Sequence, residues 1–388
     1  MKILFASNYD SLVQSNWSGL GFYIRVCLDR SGLQVLPYSL PPISIWFRRI
    51  LNLKKQFVAK MGWGFYIDAH DPMLARFHSR KVDAAAAQFQ ADAIVSPGSL
   101  PVAFCNSPKP LAIWCDATAK ALFQTYPAYT NLSWVTRREA DITDRSCLRR
   151  AAAAVYASDW AAESAKRDYG ANPNKVHVIP FGANIEQEPS SAEVQGYLAS
   201  RDIEKPTFLF AGVDWLRKGG DFVLETISKI RETGFDARLR VMGCEVPEMI
   251  RKIPWVSVDG FVDKHSTSGK EIYSKAFSQA FALFMPSLAE CYGLVYCEAN
   301  AYGVPAVGRD VGGVGTIIHD GVNGLLLPAT TSAAEAASRL MHWIKNPETY
   351  REACRLSRLE YERRLNWDVA GERMAEIIAR EVEKRRGA

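Results

Sequence analysis

Two glutamates, Glu290 and Glu298, bracket a mostly apolar run in the segment AECYGLVYCEANAYG at residues 289–303. The run predicts a buried helix that ends at Gly303, because glycine is common just past the end of a helix. A buried helix has no need of carboxylates for its own packing. Since a carboxylate accepts up to about four hydrogen bonds, each glutamate is a candidate for holding hydroxyl groups of a ligand.

The backbone between the two glutamates offers a second kind of contact. The first N–H groups of the predicted helix, from Tyr292 to Val295, have no intrahelical partner and favour an anion. Eight residues of helix rise ~12 Å, about the span of a nucleotide diphosphate sugar. The spacing is therefore consistent with one carboxylate near each end of such a ligand.

A cationic loop occurs earlier in the chain, in the segment AGVDWLRKGG at residues 211–220. Gly212 ends a predicted strand, and Arg217 and Lys218 precede two glycines and a predicted helix. Cations at a helix N-terminus can hold phosphate together with free N–H groups. A solvated turn before a surface helix is the alternative interpretation of this loop.

Length and composition indicate a globular protein of more than one domain. The chain has 388 residues, of which 48% are hydrophobic and 23% charged. No segment approaches the ~18 uncharged apolar residues of a spanning helix, and the N-terminus lacks a signal-peptide core. The eight cysteines are scattered without metal-site spacing, which favours reduced thiols in a cytoplasmic protein. Residues 1–182 hold 21 Lys and Arg against 13 Asp and Glu, a net charge of +8.

Short β-rich runs alternate with helical patterns along the whole chain. This alternation predicts two doubly wound α/β domains with parallel sheets. The predicted boundaries give a first domain at 1–182, a second at 183–365 and a terminal helix at 366–388. The helix carries a predicted apolar stripe that needs a packing partner, formed by Val369, Met374, Ile377 and Val382.

The segment PSLAECYGLVYCEANAYGVPAVGRDVGGVGTIIHDGVNGLLL, at residues 286–327, resembles the signature of the family-4 retaining glycosyltransferases. The segments KVHVIPFGAN, FAGVDWLRKGG and SGLGFY are similar to other parts of that family's pattern. The resemblance implies the GT-B fold, in which two Rossmann-like domains face each other across a cleft. It also implies that the C-terminal helix crosses back to the first domain.

The resemblance implies a role for each candidate site residue. Glu298 would hold the ribose, and Glu290 would hold the sugar near its anomeric carbon. Arg217 and Lys218 would bind the diphosphate. The remaining positions implied in nucleotide-sugar binding are Gly19, Gly21, Gly212, Gly260, Phe261, Tyr292, Gly293, Leu294 and Val295.

Two positions depart from the family pattern. Val213 stands where the family usually has an arginine, which leaves the guanidinium to Arg217. Asp116 stands where a histidine is common, and we assign it a catalytic position by that alignment. His70 and His78 lie outside the predicted strand-end loops and are interpreted as surface or hinge residues.

The implied activity is retaining transfer of a hexose from a nucleotide diphosphate sugar, as in polysaccharide biosynthesis. The favoured donor is UDP-glucose or a related UDP-sugar, without a metal or other cofactor, and the acceptor is a glycan, a lipid-linked saccharide or a small molecule. A GDP-mannose-type donor, a non-catalytic nucleotide-sugar-binding protein and an epimerase are alternatives. No nucleic acid partner is expected. A dehydrogenase is disfavoured, because no G-x-G-x-x-G follows the first strand.

The segment at residues 43–65 predicts an amphipathic helix. Trp46, Ile50, Leu53 and Phe57 share one face, and basic residues including Arg48 lie away from it. Such a helix could rest peripherally on an anionic membrane, at its cytoplasmic face. The alternative is that the apolar face packs on its own domain.

Overall fold

The computed structural model describes residues 1–387 of the chain. These residues form two compact units. Unit 1 comprises Met1–Pro180 and the C-terminal segment that begins at Trp367, and unit 2 comprises Phe181–Asn366.

Unit 1 is built around a six-stranded parallel sheet with the order β2-β1-β3-β4-β5-β6. Its strands are β1 (Lys2–Ser7), β2 (Gln34–Ser39), β3 (Ala93–Ser96), β4 (Leu111–Cys115), β5 (Ala153–Tyr156) and β6 (Val176–Val178). Its helices are α1 (Leu20–Arg30), α2 (Ile45–Lys60), α3 (Pro72–Gln88), α4 (Ala119–Thr125), α5 (Trp134–Arg150) and α6 (Asp159–Tyr169).

The strand β2 contains a proline, a residue that is unusual inside a sheet. This residue, Pro37, cannot donate a hydrogen bond to a neighbouring strand. Proline is tolerated in β2 because this strand lies at the edge of the sheet, with β1 as its single neighbour.

Unit 2 contains a second six-stranded parallel sheet, with the order β12-β11-β10-β7-β8-β9. Its strands are β7 (Thr207–Ala211), β8 (Arg238–Met242), β9 (Val256–Gly260), β10 (Ala282–Phe284), β11 (Ala306–Arg309) and β12 (Gly324–Leu327). Its helices are α7 (Ser191–Ser200), α8 (Gly220–Glu232), α9 (Glu248–Arg251), α10 (Thr267–Gln279), α11 (Leu294–Ala301), α12 (Val314–Ile317), α13 (Ala333–Lys345) and α14 (Pro347–Arg364). The predicted doubly wound α/β architecture is confirmed in both units.

The last helix, α15 (Trp367–Arg386), packs on α1 within unit 1. The two helices approach closely at Gly371, where an added Cβ would lie 2.7 Å from the carbonyl oxygen of Cys27. The predicted apolar stripe is wrong at Val369 and Ile377, which are only half-buried. The buried face instead follows a continuous helical stripe of Trp367, Ala370, Gly371, Met374, Ile378 and Val382.

All eight cysteines are buried and free of disulfide bonds. Within residues 1–387, no helix is long and apolar enough to cross a membrane.

Candidate functional site

The strand order of unit 2 reverses between β7 and β10, which lie side by side although other strands separate them in sequence. From β7 the chain adds strands on one side, and from β10 it adds strands on the other. Such a reversal opens a crevice at the carboxyl ends of the strands, where open α/β sheets bind ligands. The loops that follow β7 and β10, at residues 212–219 and 285–293, border this crevice.

A buried ion pair joins the two loops. The ammonium group of Lys218 contacts the carboxylate of Glu290, and the side chains are only 11% and 10% exposed. The hydroxyl of Ser287 donates a second hydrogen bond to Glu290 at 3.3 Å. Arg217 donates from Nη1 to the carbonyl oxygen of Ala289 at 3.2 Å. The structure therefore brings the three predicted residues Arg217, Lys218 and Glu290 together.

Glycines permit the loops to lie this close. Gly219 has a φ of 82°, and an added Cβ would lie 2.4 Å from the carbonyl oxygen of Pro286. Gly312, from the loop after β11, has a φ of 55°, and its Cβ would lie 1.7 Å from the carbonyl oxygen of Glu290. A side chain at either position would displace the loop that carries Glu290.

The helix α11 begins at Leu294, with Gly293 as its N-cap at a φ of 96°. Among the described residues 1–387, none of the backbone N–H groups of residues 292–295 donates a hydrogen bond. These four donors indicate an anion-binding site, as the sequence predicts. The predicted rise of ~12 Å over eight helical residues is wrong, because only Leu294–Glu298 of that spacing is helical, a rise of ~6 Å.

The side chain of Tyr292 faces the interior rather than the crevice. Its hydroxyl donates to the carbonyl oxygen of Phe181 at 2.8 Å. Burial raises the pKa of this hydroxyl well above its usual value, so it stays a donor at neutral pH. Only the backbone of Tyr292 is therefore available to a ligand.

Glu298 has two partners that the sequence interpretation missed. Its Oε1 accepts from Nζ of Lys264 at 2.5 Å, and its Oε2 accepts from the hydroxyl of Tyr273. The carboxylate is 6% exposed and Lys264 is 35% exposed. Tyr273 could have been found from the apolar face of α10, whereas Lys264 lies in a loop without a distinctive pattern.

Two positions implied in nucleotide-sugar binding, Gly260 and Phe261, lie at the start of the loop that carries Lys264. Gly260 ends β9 and accepts from the backbone N–H of Gly243 at 2.7 Å. Phe261 follows it and is 77% exposed. Gly212 lies beside Gly243, whose added Cβ would lie 2.9 Å from the Gly212 carbonyl oxygen. The ends of β7, β8 and β9 thus form one glycine-lined edge.

The candidate residues of unit 1 lie at two other strand ends. Asp116 directly follows β4 and is half-buried. Gly19 caps the N-terminus of α1 with a φ of 85°, and Gly21 is buried in the first turn. Trp17 and Ser18 before them also have positive φ angles, of 47° and 54°. This run is strained, since left-handed backbone outside glycine normally occurs as single residues. The roles of Asp116, Gly19 and Gly21 stay predictions.

The interpretation of His78 as a surface or hinge residue is wrong. His78 is buried in α3, because it lies on the helix face that packs against the sheet. His70 is half-buried in the 3-10 turn at Asp68–His70. Burial lowers the pKa of both imidazoles, which favours their neutral forms.

The amphipathic helix of the sequence analysis is α2. Its predicted apolar face is exposed, with exposed fractions of 68% for Trp46, 50% for Ile50, 65% for Leu53 and 55% for Phe57. Leu51 and Val58 form the buried side instead. The alternative in which the predicted face packs on its own domain is therefore wrong.

A different side of α2 is fixed to unit 1 by a polar network. Lys54 on α2 pairs with Asp71 at 2.6 Å and with Glu139. The hydroxyl of Tyr66 lies 2.8 and 2.7 Å from the same two carboxylates and shares its one hydrogen between them. This network fixes the rotation of α2 that leaves its apolar stripe exposed.

Comparison with known proteins agrees with this geometry. Residues 205–346 match the family model described as glycosyl transferases group 1. D-inositol 3-phosphate glycosyltransferase of Xylanimonas cellulosilytica is 28% identical over 237 residues, which cover 58% of this chain and 56% of that protein. The chain spans about half the length of the curated relatives it matches.

Two solved structures share the fold over nearly the whole chain. Sucrose-phosphate synthase from Thermosynechococcus elongatus superposes with a TM-score of 0.68 at 16% identity, covering 99% of this chain and 100% of that one. Anabaena Alr3699/HepE in complex with UDP-glucose gives 0.61 at 15% identity, covering 98% and 100%. The protein therefore has the GT-B fold. The family match and the fold together confirm the predicted resemblance to the group 1 glycosyltransferases, and family 4 is consistent with both.

Proposed function

We propose that this protein is a retaining glycosyltransferase that moves a hexose from a UDP-sugar, with UDP-glucose favoured, to a saccharide or lipid-linked acceptor. The observation that carries the proposal is the crevice between β7 and β10. There the Lys218–Glu290 pair lies beside four free N–H groups, with Glu298 one turn further along α11. UDP-glucose is favoured because the Anabaena protein of the same fold was solved with it.

Glu298 is assigned to the ribose. Its two oxygens offer about four acceptor positions, and Lys264 and Tyr273 use two of them. Two positions are left for a vicinal diol. Lys264 and Tyr273 orient the carboxylate, and the exposed Phe261 on the same loop as Lys264 offers an apolar surface to the base.

Lys218 and α11 are assigned to the diphosphate. An ammonium group has three donors, so Lys218 can bind a phosphate oxygen while it keeps its contact with Glu290. Negative charge grows on the diphosphate as the glycosidic bond breaks. Fixed donors aimed at that charge lower the barrier without further reorganisation, and this applies to Lys218, Arg217 and the N–H groups of residues 292–295.

Glu290 is assigned to the sugar. Its carboxylate accepts hydroxyl hydrogen bonds and stabilises positive charge at the anomeric carbon. In a retaining reaction the acceptor arrives on the face from which the nucleotide leaves, and the leaving phosphate takes the acceptor proton. No protein nucleophile or metal ion is required by this route.

Two alternatives share the same crevice. A GDP-mannose-type donor would use the same phosphate and ribose contacts with a different base at Phe261. A non-catalytic nucleotide-sugar-binding protein is made possible by two departures from the family pattern, since Val213 replaces a guanidinium by an apolar side chain and Asp116 replaces an imidazole by a carboxylate.

Calorimetry with UDP and GDP, followed by turnover assays with UDP-glucose, tests the proposal. We expect tighter binding of UDP than of GDP, and release of free UDP that depends on an added acceptor. Proton NMR of the product reports whether the anomeric configuration is retained. Tight UDP binding without turnover on a broad set of glycan and lipid-linked acceptors would favour the binding protein instead.

The exposed stripe of α2 is assigned to peripheral contact with an anionic membrane, at its cytoplasmic face. Trp46, Ile50, Leu53 and Phe57 would enter the headgroup region, while Arg48, Arg49 and Lys55 pair with lipid phosphates. This contact would bring unit 1 to lipid-linked acceptors.

Vesicle flotation tests the membrane contact separately from catalysis. Vesicles of phosphatidylcholine with phosphatidylglycerol should float the protein, and changing Arg48, Arg49 and Lys55 to Glu should abolish this. Changing Arg138, Arg351 and Arg363 to Glu gives a control with the same charge. Equal flotation of both triple variants would contradict the assignment.

A further inference from the structure

Unit 1 contains a cavity of about 540 Å³ that belongs to none of the strand-end loops described above. Nine residues line it, and four of them are arginines. Arg76 and Arg80 lie on α3, and Arg149 and Arg150 lie at the end of α5. The other lining residues are Ala103, Phe104, Cys105, Asn106 and Ser146. No Asp or Glu is among the residues that line it.

Two of the four guanidinium groups are held in fixed orientations. Arg76 stacks on the ring of Phe104, 4.3 Å from its centroid, and donates to the carbonyl oxygen of Pro72 at 3.3 Å. Arg150 donates to the carbonyl oxygens of Cys105 at 3.2 Å and Lys109 at 2.9 Å, and also to that of Ser107. These contacts use uncharged partners, and neither guanidinium forms an ion pair within residues 1–387.

The other two guanidinium groups have no partner. Within residues 1–387, the side chains of Arg80 and Arg149 form neither an ion pair nor a hydrogen bond. The nearby carboxylate of Asp83 forms no ion pair with either of them, and its oxygens accept from the backbone N–H groups of Asn106 at 2.8 Å and Ser107 at 3.0 Å. Four like charges around one cavity repel one another, so an anion placed there relieves the repulsion.

The cavity lies away from the edge of the sheet where the proposed transfer takes place. The carbonyl groups held by Arg150 belong to the loop just before β4, so the cavity lies toward the amino ends of the strands. Ligands of open α/β sheets bind beyond the carboxyl ends. The four arginines are thus not part of a donor or acceptor site at the strand ends.

We propose that this cavity binds a compact ligand that bears two or more phosphate groups. Planar guanidinium groups bind phosphate oxygens in pairs, and Ser146 and Asn106 add neutral hydrogen-bonding groups. The volume lies in the range of about 300–1,000 Å³ that is typical of small-molecule sites. The ligand chemistry is shared by free polyphosphorylated compounds and by headgroups of phospholipids.

Calorimetric titration with inorganic tripolyphosphate, in the presence of saturating UDP, tests the proposal. The test variant is the double substitution Arg80→Glu and Arg149→Glu, and the control is Arg138→Glu with Arg351→Glu, which changes the net charge equally. We expect the test variant to bind tripolyphosphate at least about 10-fold more weakly than wild type, and the control to stay within about threefold. Equal weakening of the two variants, or no binding to wild type, would overturn the proposal.

A neutral variant, Arg80→Gln with Arg149→Gln, guards against misfolding. Its thermal unfolding midpoint should match that of wild type, because the two side chains form no hydrogen bond or ion pair within residues 1–387, while its affinity should still fall. Flotation with cardiolipin-containing vesicles then separates the two sources of the ligand. Loss of flotation in the test variant but not in the control indicates a lipid headgroup, and unchanged flotation with lost tripolyphosphate binding indicates a soluble ligand. Wild-type affinity in the Gln variant would contradict the site.

Discussion

Glu290 and Glu298 have nearly the same local chemistry and different positions. Each is buried, and each pairs with one lysine from another loop and one hydroxyl group. Glu290 lies in the loop at the strand reversal, paired with Lys218 from the loop after β7. Glu298 lies inside α11, paired with Lys264 from the loop after β9.

The two glutamates differ in the loop that supplies the lysine partner of each. Lys218, the partner of Glu290, comes from a loop with two cations, and Glu290 itself lies against Gly293 at the start of α11. The proposed diphosphate site lies here, beside the free N–H groups of residues 292–295. The partner of Glu298 comes from a loop with an exposed aromatic ring, which suits a nucleoside. The two carboxylate–lysine pairs are therefore proposed to have different roles. The Lys218–Glu290 pair serves turnover, and the Lys264–Glu298 pair serves nucleotide affinity.

The largest effect is expected from Lys218→Ala. This substitution removes a phosphate donor and leaves the buried Glu290 without its cation, so we expect kcat to fall by about 100- to 1,000-fold. Steady-state kinetics with UDP-glucose measure it, and the control is Lys252→Ala, at an exposed lysine directly after α9. A fall of less than about 10-fold would assign the phosphate contact to Arg217 alone.

Glu290→Ala should have the next largest effect and should act on turnover. We expect kcat to fall by about 100-fold, while the affinity for UDP changes by less than about threefold, because UDP lacks the sugar. Calorimetry with UDP and kinetics with UDP-glucose give the two values. A loss of UDP affinity as large as the loss of kcat would contradict the assignment of Glu290 to the sugar.

Glu298→Ala should act on binding. Loss of the charged acceptor for the ribose should weaken UDP binding by about 10- to 100-fold, which corresponds to the contribution of about 1.5–3 kcal/mol from one hydrogen bond to a charged group. Glu225→Ala, on the exposed surface of α8, is the matched control. Unchanged affinity for UDP in the Glu298 variant would contradict the assignment of Glu298 to the ribose.

The smallest effect is expected from Tyr273→Phe, which removes one hydroxyl and keeps the ring packed. Glu298 would keep Lys264, so UDP affinity should fall by only about two- to fivefold, in line with ~1 kcal/mol for one hydrogen bond. Calorimetry on this variant shows how far Tyr273 orients the carboxylate. An effect as large as that of Glu298→Ala would mean that Tyr273 itself contacts the ligand.

Most of the fold was predictable because strand and helix patterns depend on local periodicity. Eleven strands follow apolar runs, whereas β2 is hidden by Pro37, which is permitted only by its edge position. The face of α15 was misjudged at Val369 and Ile377, which are each adjacent in sequence to a buried residue, because the close approach at Gly371 sets the rotation of the helix. Such packing depends on the partner helix and leaves no local signal.

The segments that form the candidate site could be predicted from the sequence, but the side chains that pair with one another could not. The spacing around Glu290 and Glu298 points to the crevice because glycines and strand ends are local features. The pairing of Lys218 with Glu290 joins residues 72 positions apart, and Lys264 reaches Glu298 across 34 positions. The exposed face of α2 was likewise decided by the distant Asp71 and Glu139, which fix Lys54 on the inner side.

Glu290 and Glu298 are proposed to hold different parts of one donor, the sugar and the ribose. Side-by-side measurement of UDP affinity and of kcat for Glu290→Gln and Glu298→Gln tests this assignment most directly, since glutamine keeps the shape and removes the charge. We predict a crossed result, in which the Glu290 variant loses turnover and keeps UDP affinity, while the Glu298 variant loses UDP affinity and keeps most of its turnover at saturating donor. Equal losses of both quantities in the two variants, or the reverse pattern, would contradict the account.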